Sequence, residues 1–273
     1  MPMTALKRIG IAGCGTIGRK VATELDRGTV PNARLAAING RDMDKAREFA
    51  VTLASPPPVL SVAEMAPLVD LVVEAANGAA LGEIAMETLS AGKDLIALSC
   101  GALLERDDLF ALAREKGATI YIPSGAIAGL DGVASAAAGR IDSVTMITRK
   151  PPDGLRGAPG VDKAGVDLDT VTEPVLLFDG PVAKAWRLFP ANINVSAALS
   201  LAGIGANETT IRIYADPTVE RNTHEIEVEG EFGKLGIRIE GVPSADNPRT
   251  GVLSALSALA TLRRITSHLR VGT

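Results

Sequence analysis

Short, almost wholly apolar runs separated by helical-period segments fill the first 123 residues. Residues 9–12 (IGIA), 34–39 (RLAAIN), 71–76 (LVVEAA), 94–99 (DLIALS) and 119–122 (TIYI) read as buried strands. Between them Val21, Ala22 and Leu25 recur at helical spacing, and residues 44–50, 61–66, 81–91 and 103–116 predict further helices. Apolar strands alternating with helices predict an α/β domain, a Rossmann-type doubly wound parallel sheet. The prolines at 56–58 read as a rigid extended connector inside it.

The pattern changes after residue 123. Residues 124–132 (SGAIAGLDG) are small and glycine-rich, and a helix is expected over 133–139. Residues 143–149, 209–215, 224–231 and 234–240 then alternate apolar with polar. Period two means one face in water, so a second α+β domain with an open, mainly antiparallel sheet is expected. Residues 154–165 read as a Gly- and Pro-rich loop, a candidate mobile flap, and 170–178 give no clear pattern. Residues 191–201 predict a helix. A turn at Asp246-Asn247-Pro248 precedes an Ala/Leu-rich helix to residue 264, whose Leu253, Leu256, Leu259 and Ala260 are expected to pack back on the first domain. The division expected is 1–123 for a dinucleotide, 124–244 for substrate and 245–273 for the returning helix.

Gly13, Gly15 and Gly18 stand in G-x-G-x-x-G spacing between the first strand and the first helix, with Thr16 and Ile17 inside the motif. That context is the one the motif requires. Gly13 permits the tight turn, Gly15 lets the main chain approach a diphosphate, and Gly18 lets the helix lie close on the strand. The N–H groups and positive dipole end of the helix then receive the anion. The cofactor expected is NAD or NADP. An acidic residue usually ends the second strand of an NAD site; here the chain runs Asn39-Gly40-Arg41. Arg41 could favour the extra phosphate of NADP, or simply cap the next helix.

Of the 273 residues 47% are hydrophobic, 22% charged and 3% aromatic, with a net charge of −4. That balance argues against a broad nucleic-acid surface and against base-stacking platforms. Cys14 and Cys100 offer neither a disulfide framework nor metal-ligand spacing, so no metal is expected. No run is long enough to span a bilayer and no secretory leader is evident, so a cytoplasmic protein without a membrane partner is the expectation. Strand edges in the open sheet suggest a symmetric homodimer.

There are two histidines. His268 lies among charged neighbours near the C-terminus. His224 opens an alternating strand and is the better candidate for moving protons near neutrality, although a strand-end histidine can equally be a hydrogen-bonded structural residue.

Several motifs resemble the L-aspartate dehydrogenase family along nearly the whole chain. They are GCGTIG at 13–18, TRKPP at 148–152, NINVSAAL at 192–199, NTHEI at 222–226 and PSADNPRT at 243–250. The resemblance implies that His224 is catalytic and that Ala128 and Asn194 contact the nicotinamide cofactor. It implies oxidative deamination of L-aspartate to iminosuccinate, then oxaloacetate and ammonia, in a biosynthetic role feeding quinolinate and NAD. A dicarboxylate needs cations, and Arg149 and Lys150 are candidates, with Lys163 a further one; a solvated pair before Pro151 is the plainer reading. A homoserine dehydrogenase-like or dihydrodipicolinate reductase-like enzyme is a competing reading, and a non-catalytic dinucleotide sensor another.

Overall fold

The computed structural model describes residues 6–190, 193–244 and 247–272. The chain forms two compact units, one of Met1–Pro123 with Ala255–Val271, the other of Ser124–Ser254 with the last two residues.

In the first unit β1 (Lys7–Ala12), α1 (Thr16–Asp26), β2 (Ala33–Asn39), α2 (Met43–Ala50), α3 (Val62–Met65), β3 (Leu71–Glu74), α4 (Gly78–Ser90), β4 (Asp94–Ala97), α5 (Asp107–Lys116) and β5 (Ile120–Tyr121) follow one another. The five strands pair in the order β2-β1-β3-β4-β5, all parallel. This order reverses beside β1, so the crevice for a ligand is expected outside the carboxyl ends of β1 and β3. Side-chain caps fix three helix starts: Asp42 for α2, Ser61 in a capping box with Glu64 for α3, and Asn77 for α4. α5 begins four residues later than its apolar pattern suggests. Residues Cys100–Leu103 form a 3-10 turn instead, and Asp107 and Asp108 supply the acidic first turn that a helix N-terminus favours.

The second unit contains α6 (Leu130–Ala136), β6 (Ile141–Lys150), α7 (Pro159–Ala164), β7 (Val175–Pro181), α8 (Val182–Leu188), α9 (Asn194–Ala202), β8 (Thr210–Ala215), β9 (Thr223–Gly230) and β10 (Gly233–Glu240). Its sheet runs β10-β9-β6-β8-β7, antiparallel except for the β6–β8 pair. One face is buried through Val144, Met146, Ile211, Ile213, Ile226 and Val228. The other is half-buried along β6 and β8 and mostly exposed along β9 and β10. A side chain on Gly203, just past α9, would reach Val133 of α6 and Val144 of β6, so α6 and the end of α9 cover the buried face.

Two expectations for this unit need correction. Residues 154–165 are not a flap-like loop. A 3-10 turn, Pro152–Leu155, leads into α7, with Leu155, Ala158 and Val161 buried. Gly160 lies so close to Phe189 that a Cβ there would meet its ring at 2.1 Å. The unreadable stretch before residue 181 holds the edge strand β7. Asn247 and Pro248 of the expected turn belong instead to a two-stranded ribbon, β11 (Pro243–Ser244) and β12 (Asn247–Gly251); Asp246 of that turn, like Ala191 and Asn192 at the start of the helix expected over 191–201, lies outside the described residues.

α10 (Val252–Thr266) then carries the chain into the first unit. Ala258, Leu259 and Leu262 join Ile9, Ile11, Val21, Leu25, Ile38 and Ile96 in one cluster. Asn32, whose φ of 54° suits a short polar side chain, donates from Nδ2 to the Thr266 carbonyl at 3.0 Å and caps the helix end. Leu259 is buried as expected, but the rest of the buried face is shifted. Leu256 is 48% exposed and Ala260 is exposed, whereas Ala258 and Leu262 are fully buried.

Candidate active site

The glycine turn is formed as its spacing requires. Gly13 has a φ of 113°, and a Cβ there would stand 2.5 Å from the Ala75 carbonyl group and 2.6 Å from the Ala76 nitrogen. A Cβ on Gly18 would stand 1.8 Å from the Gly13 oxygen, which is how α1 lies against the turn. Around Gly15 a Cβ would meet nothing within 4 Å. Gly15 is also the N-cap of α1, with no side-chain cap and no acidic residue in the first turn. Three neighbouring helices are capped by side chains and this one is not. Its first-turn N–H groups have no acceptor within the helix, and the positive end of the helix dipole lies beside the open space at Gly15. These features fit the diphosphate of a dinucleotide.

At the end of β2 Asn39 ties the strand to its neighbours. Its Nδ2 donates to the Leu60 carbonyl at 2.8 Å, and its own carbonyl accepts from Gly13 N and Cys14 Sγ. Arg41 is exposed, and the cap of α2 is Asp42 rather than Arg41.

In the second unit the antiparallel register of β6 and β9 sets Thr148 opposite His224. Thr148 Oγ1 and His224 Nδ1 lie 3.1 Å apart, and the imidazole is 3% exposed. Two residues on, Lys150 occupies the same buried face of β6 and is 6% exposed. A Cβ on Gly154 would lie 3.9 Å from both Lys150 Cβ and Asn222 Oδ1, so the turn after β6 folds over this end of the strand. Burial pushes the Lys150 ammonium down to about 8. Burial first, and then the Lys150 charge, push His224 from its ordinary 6.5 to about 3. The imidazole is neutral and the lysine near its titration point in the physiological range.

Arg149 and Lys150 do not act as a pair. Alternation along β6 turns Arg149 to the opposite face. There its guanidinium lies 4.5 Å from the centre of the Tyr214 ring and bonds Asp216 Oδ2 at 3.1 Å. Asp216 is buried, and its other oxygen accepts from the Thr218 amide and hydroxyl. Lys163 lies on α7 and is exposed.

Ala128 is exposed in the small-residue loop before α6, and Asn194 is the half-buried first residue of α9. The two segments meet, because a Cβ on Gly125 would be 3.4 Å from Val195 Cγ1. Thr148 was not foreseen as a site residue. Only the pairing of strands 76 positions apart brings it to His224.

A parallel-sheet unit with an uncapped Gly-x-Gly helix, joined in one chain to a sheet unit with a buried neutral imidazole, defines a nicotinamide-dependent dehydrogenase. Comparison with known proteins agrees. Residues 13–123 match the family profile described as homoserine dehydrogenase, NAD binding domain, and residues 131–265 that described as aspartate dehydrogenase, C-terminal. The chain is 48% identical over 269 residues to an L-aspartate dehydrogenase of Methanocella arvoryzae, covering 97% of this chain and 99% of that protein. It is 46% identical to L-aspartate dehydrogenase 3 of Bordetella bronchiseptica, with 97% of each covered. The chain belongs to the L-aspartate dehydrogenase family. The crystal structure of aspartate dehydrogenase from Thermotoga maritima superposes with a TM-score of 0.76 at 26% identity, covering 97% of this chain and 99% of that one. A homoserine dehydrogenase from Thiobacillus denitrificans shares the fold, with a TM-score of 0.63 at 17% identity over 95% of this chain and 73% of its own. Among the described residues no helix is long and apolar enough to cross a membrane.

Proposed function

We propose that this chain oxidatively deaminates L-aspartate with NAD or NADP as the hydride acceptor. The observation that carries the reading is the buried, neutral imidazole of His224 held by Thr148. With Nδ1–H donating to Thr148 Oγ1, the lone pair of Nε2 is the one that accepts a proton. The bound nicotinamide supplies one thing, an acceptor for the hydride of the substrate Cα. His224 takes a proton from the substrate ammonium, so that the nitrogen lone pair drives hydride departure and leaves iminosuccinate. Water then adds to the protonated imine and loses a proton to solvent, and His224 returns its own proton to the departing nitrogen, so that oxaloacetate and ammonium leave.

A base of pKa about 3 is weak, and the substrate itself corrects this. Two carboxylates entering beside the imidazole stabilise its protonated form and offset the Lys150 charge that depresses it. Lys150 is the cation for one of these carboxylates, and Arg149, on the other face and bound to Asp216, is not. Ala128 permits close approach of the cofactor and Asn194 offers amide donors and an acceptor for it. The first unit supplies the diphosphate grip through residues 13–18. With no acidic residue at the end of β2, and with Arg41 exposed, both NAD and NADP are accepted. A homodimer would cover the sheet edges left by β10 and β7; light-scattering mass in solution tests it.

Absorbance at the reduced-nicotinamide band, with L-aspartate, homoserine and other amino acids against each dinucleotide, tests the reading. Turnover on L-aspartate is expected. Turnover on homoserine alone would overturn it, and tight dinucleotide binding without any turnover would make the chain a sensor.

A further inference from the structure

Glu74 is a charged residue ending an otherwise apolar strand, and it is fully buried. A carboxylate removed from water costs several kcal/mol unless its oxygens are well supplied with donors. Here four donors converge on it. Oε1 accepts from Ala76 N at 2.9 Å and Ser99 Oγ at 2.8 Å. Oε2 accepts from Leu98 N at 3.1 Å and Ser99 N at 2.9 Å. Burial raises the pKa of this carboxyl while the donors oppose the rise. Three of the four are main-chain N–H groups, which can only donate, and they favour the ionised form.

The position of these donors matters more than their number. They belong to the two loops that leave the carboxyl ends of β3 and β4. One is the peptide between Ala75 and Ala76, the group that Gly13 presses against at the point where the strand order reverses. That peptide is confined on one side by the glycine turn and pinned on the other by Glu74. Asn77 follows at once and caps α4 through Ala79 N and Ala80 N. On the β4 side Ser99 leads directly into the 3-10 turn Cys100–Leu103. One side chain thus ties the two loops together, and the first of them lies against the glycine turn. An apolar residue could fill the same space without the desolvation cost, but it could not orient three main-chain N–H groups.

We propose that Glu74 is a positioning residue for the dinucleotide, its carboxylate fixing the ends of β3 and β4 in the form against which the glycine turn closes. This rests on the reading that residues 13–18 hold the diphosphate. Glu74→Gln keeps the shape and breaks the pattern. Turned either way, the amide NH2 faces at least one main-chain N–H that has no acceptor left.

The test is equilibrium titration of wild-type protein, Glu74→Gln and Ser99→Ala with NADH and with NADPH, followed by fluorescence, together with KM values and thermal midpoints. Glu74→Gln should weaken the better-bound dinucleotide about ten-fold, while KM for L-aspartate at saturating dinucleotide changes less than about two-fold. A lower thermal midpoint with unchanged dinucleotide affinity would mean a purely structural glutamate and would overturn the proposal. Should Glu74→Gln fail to fold, Ser99→Ala decides. It removes one hydroxyl donor and leaves three N–H groups, so a loss of about three-fold is expected, and no loss overturns the proposal. Failure of the wild-type protein to bind either dinucleotide would overturn the reading of residues 13–18 and the proposal with it. Wild-type binding beside an unaffected Glu74→Gln overturns the proposal alone.

Discussion

Around Gly13 the neighbouring groups are main chain; around His224 they are side chains. The glycine turn works by what is missing: no Cβ at residues 13, 15 and 18, and no cap on α1. The imidazole site works by what long-range pairing delivers: Thr148, Lys150 and His224 set on one buried sheet face. The first kind of site has no room for an added atom at Gly13 or Gly18. The second depends on the protonation of particular groups. Substitutions should therefore fail differently in the two places.

The largest expected effect is at His224. His224→Ala should lower kcat on the order of 10²–10⁴-fold with dinucleotide affinity retained, as read by steady-state kinetics beside NADH titration. A parallel loss of dinucleotide affinity would show that the two regions are not separable in this way. Gly13→Ala is the counterpart. A Cβ 2.5 Å from main chain, at a φ of 113°, should cost about 3 kcal/mol in denaturant unfolding and abolish measurable dinucleotide binding. Unchanged binding would mean that the turn is not the diphosphate site.

Lys150→Met should raise KM for L-aspartate at least about ten-fold, whereas Arg149→Met should leave KM within about two-fold and lower stability by leaving Asp216 buried without its cation. The reverse result would place the substrate cation on the other sheet face. The depressed pKa of His224 gives a smaller, pH-dependent effect. Below 6.5 the unfolded chain takes up a proton on this residue, while the folded chain resists down to about 3. Stability should thus be unaffected by this group above 6.5 and fall by up to about 1.4 kcal/mol per pH unit below it. His224→Gln should remove that part of the slope in denaturant melts between those limits. The smallest effect is away from both sites. Thr209 Oγ1 is buried and has no hydrogen-bond partner among the described residues, so Thr209→Val should be neutral or stabilising by about 1 kcal/mol in the same melts.

The two regions also differ in how far the sequence reveals them. The glycine turn lies within six residues, and the strands beside it are apolar runs closed by Gly or Pro, so local spacing suffices. The α7 segment shows the limit of composition. Pro159 at its first turn and Gly165 in the left-handed conformation at its end are helix start and stop residues, and together they read as a loop. In α10 almost every side is apolar, so the period does not fix which side is buried, and Ala258 and Leu262 take the place expected of Leu256 and Ala260. Arg149 and Lys150 are neighbours in sequence, but strand alternation puts them on opposite faces. His224 could be singled out as a proton carrier, yet its partner Thr148 depends on a register between strands that no local pattern encodes. Glu74 carried a local signal, a charge closing a buried run, whose meaning lies in amides contributed from β4's end.

The core shared by Ile9, Val21 and Leu262 has a consequence for biosynthesis. Translation delivers the first 123 residues early, but Ala258, Leu259 and Leu262, which fill one side of that core, emerge among the last. Completion of that core is therefore expected to follow synthesis of the middle segment. Ribosome-stalled chains ending before residue 252 should show protease-sensitive β1 and α1 that become resistant only once the final helix is released.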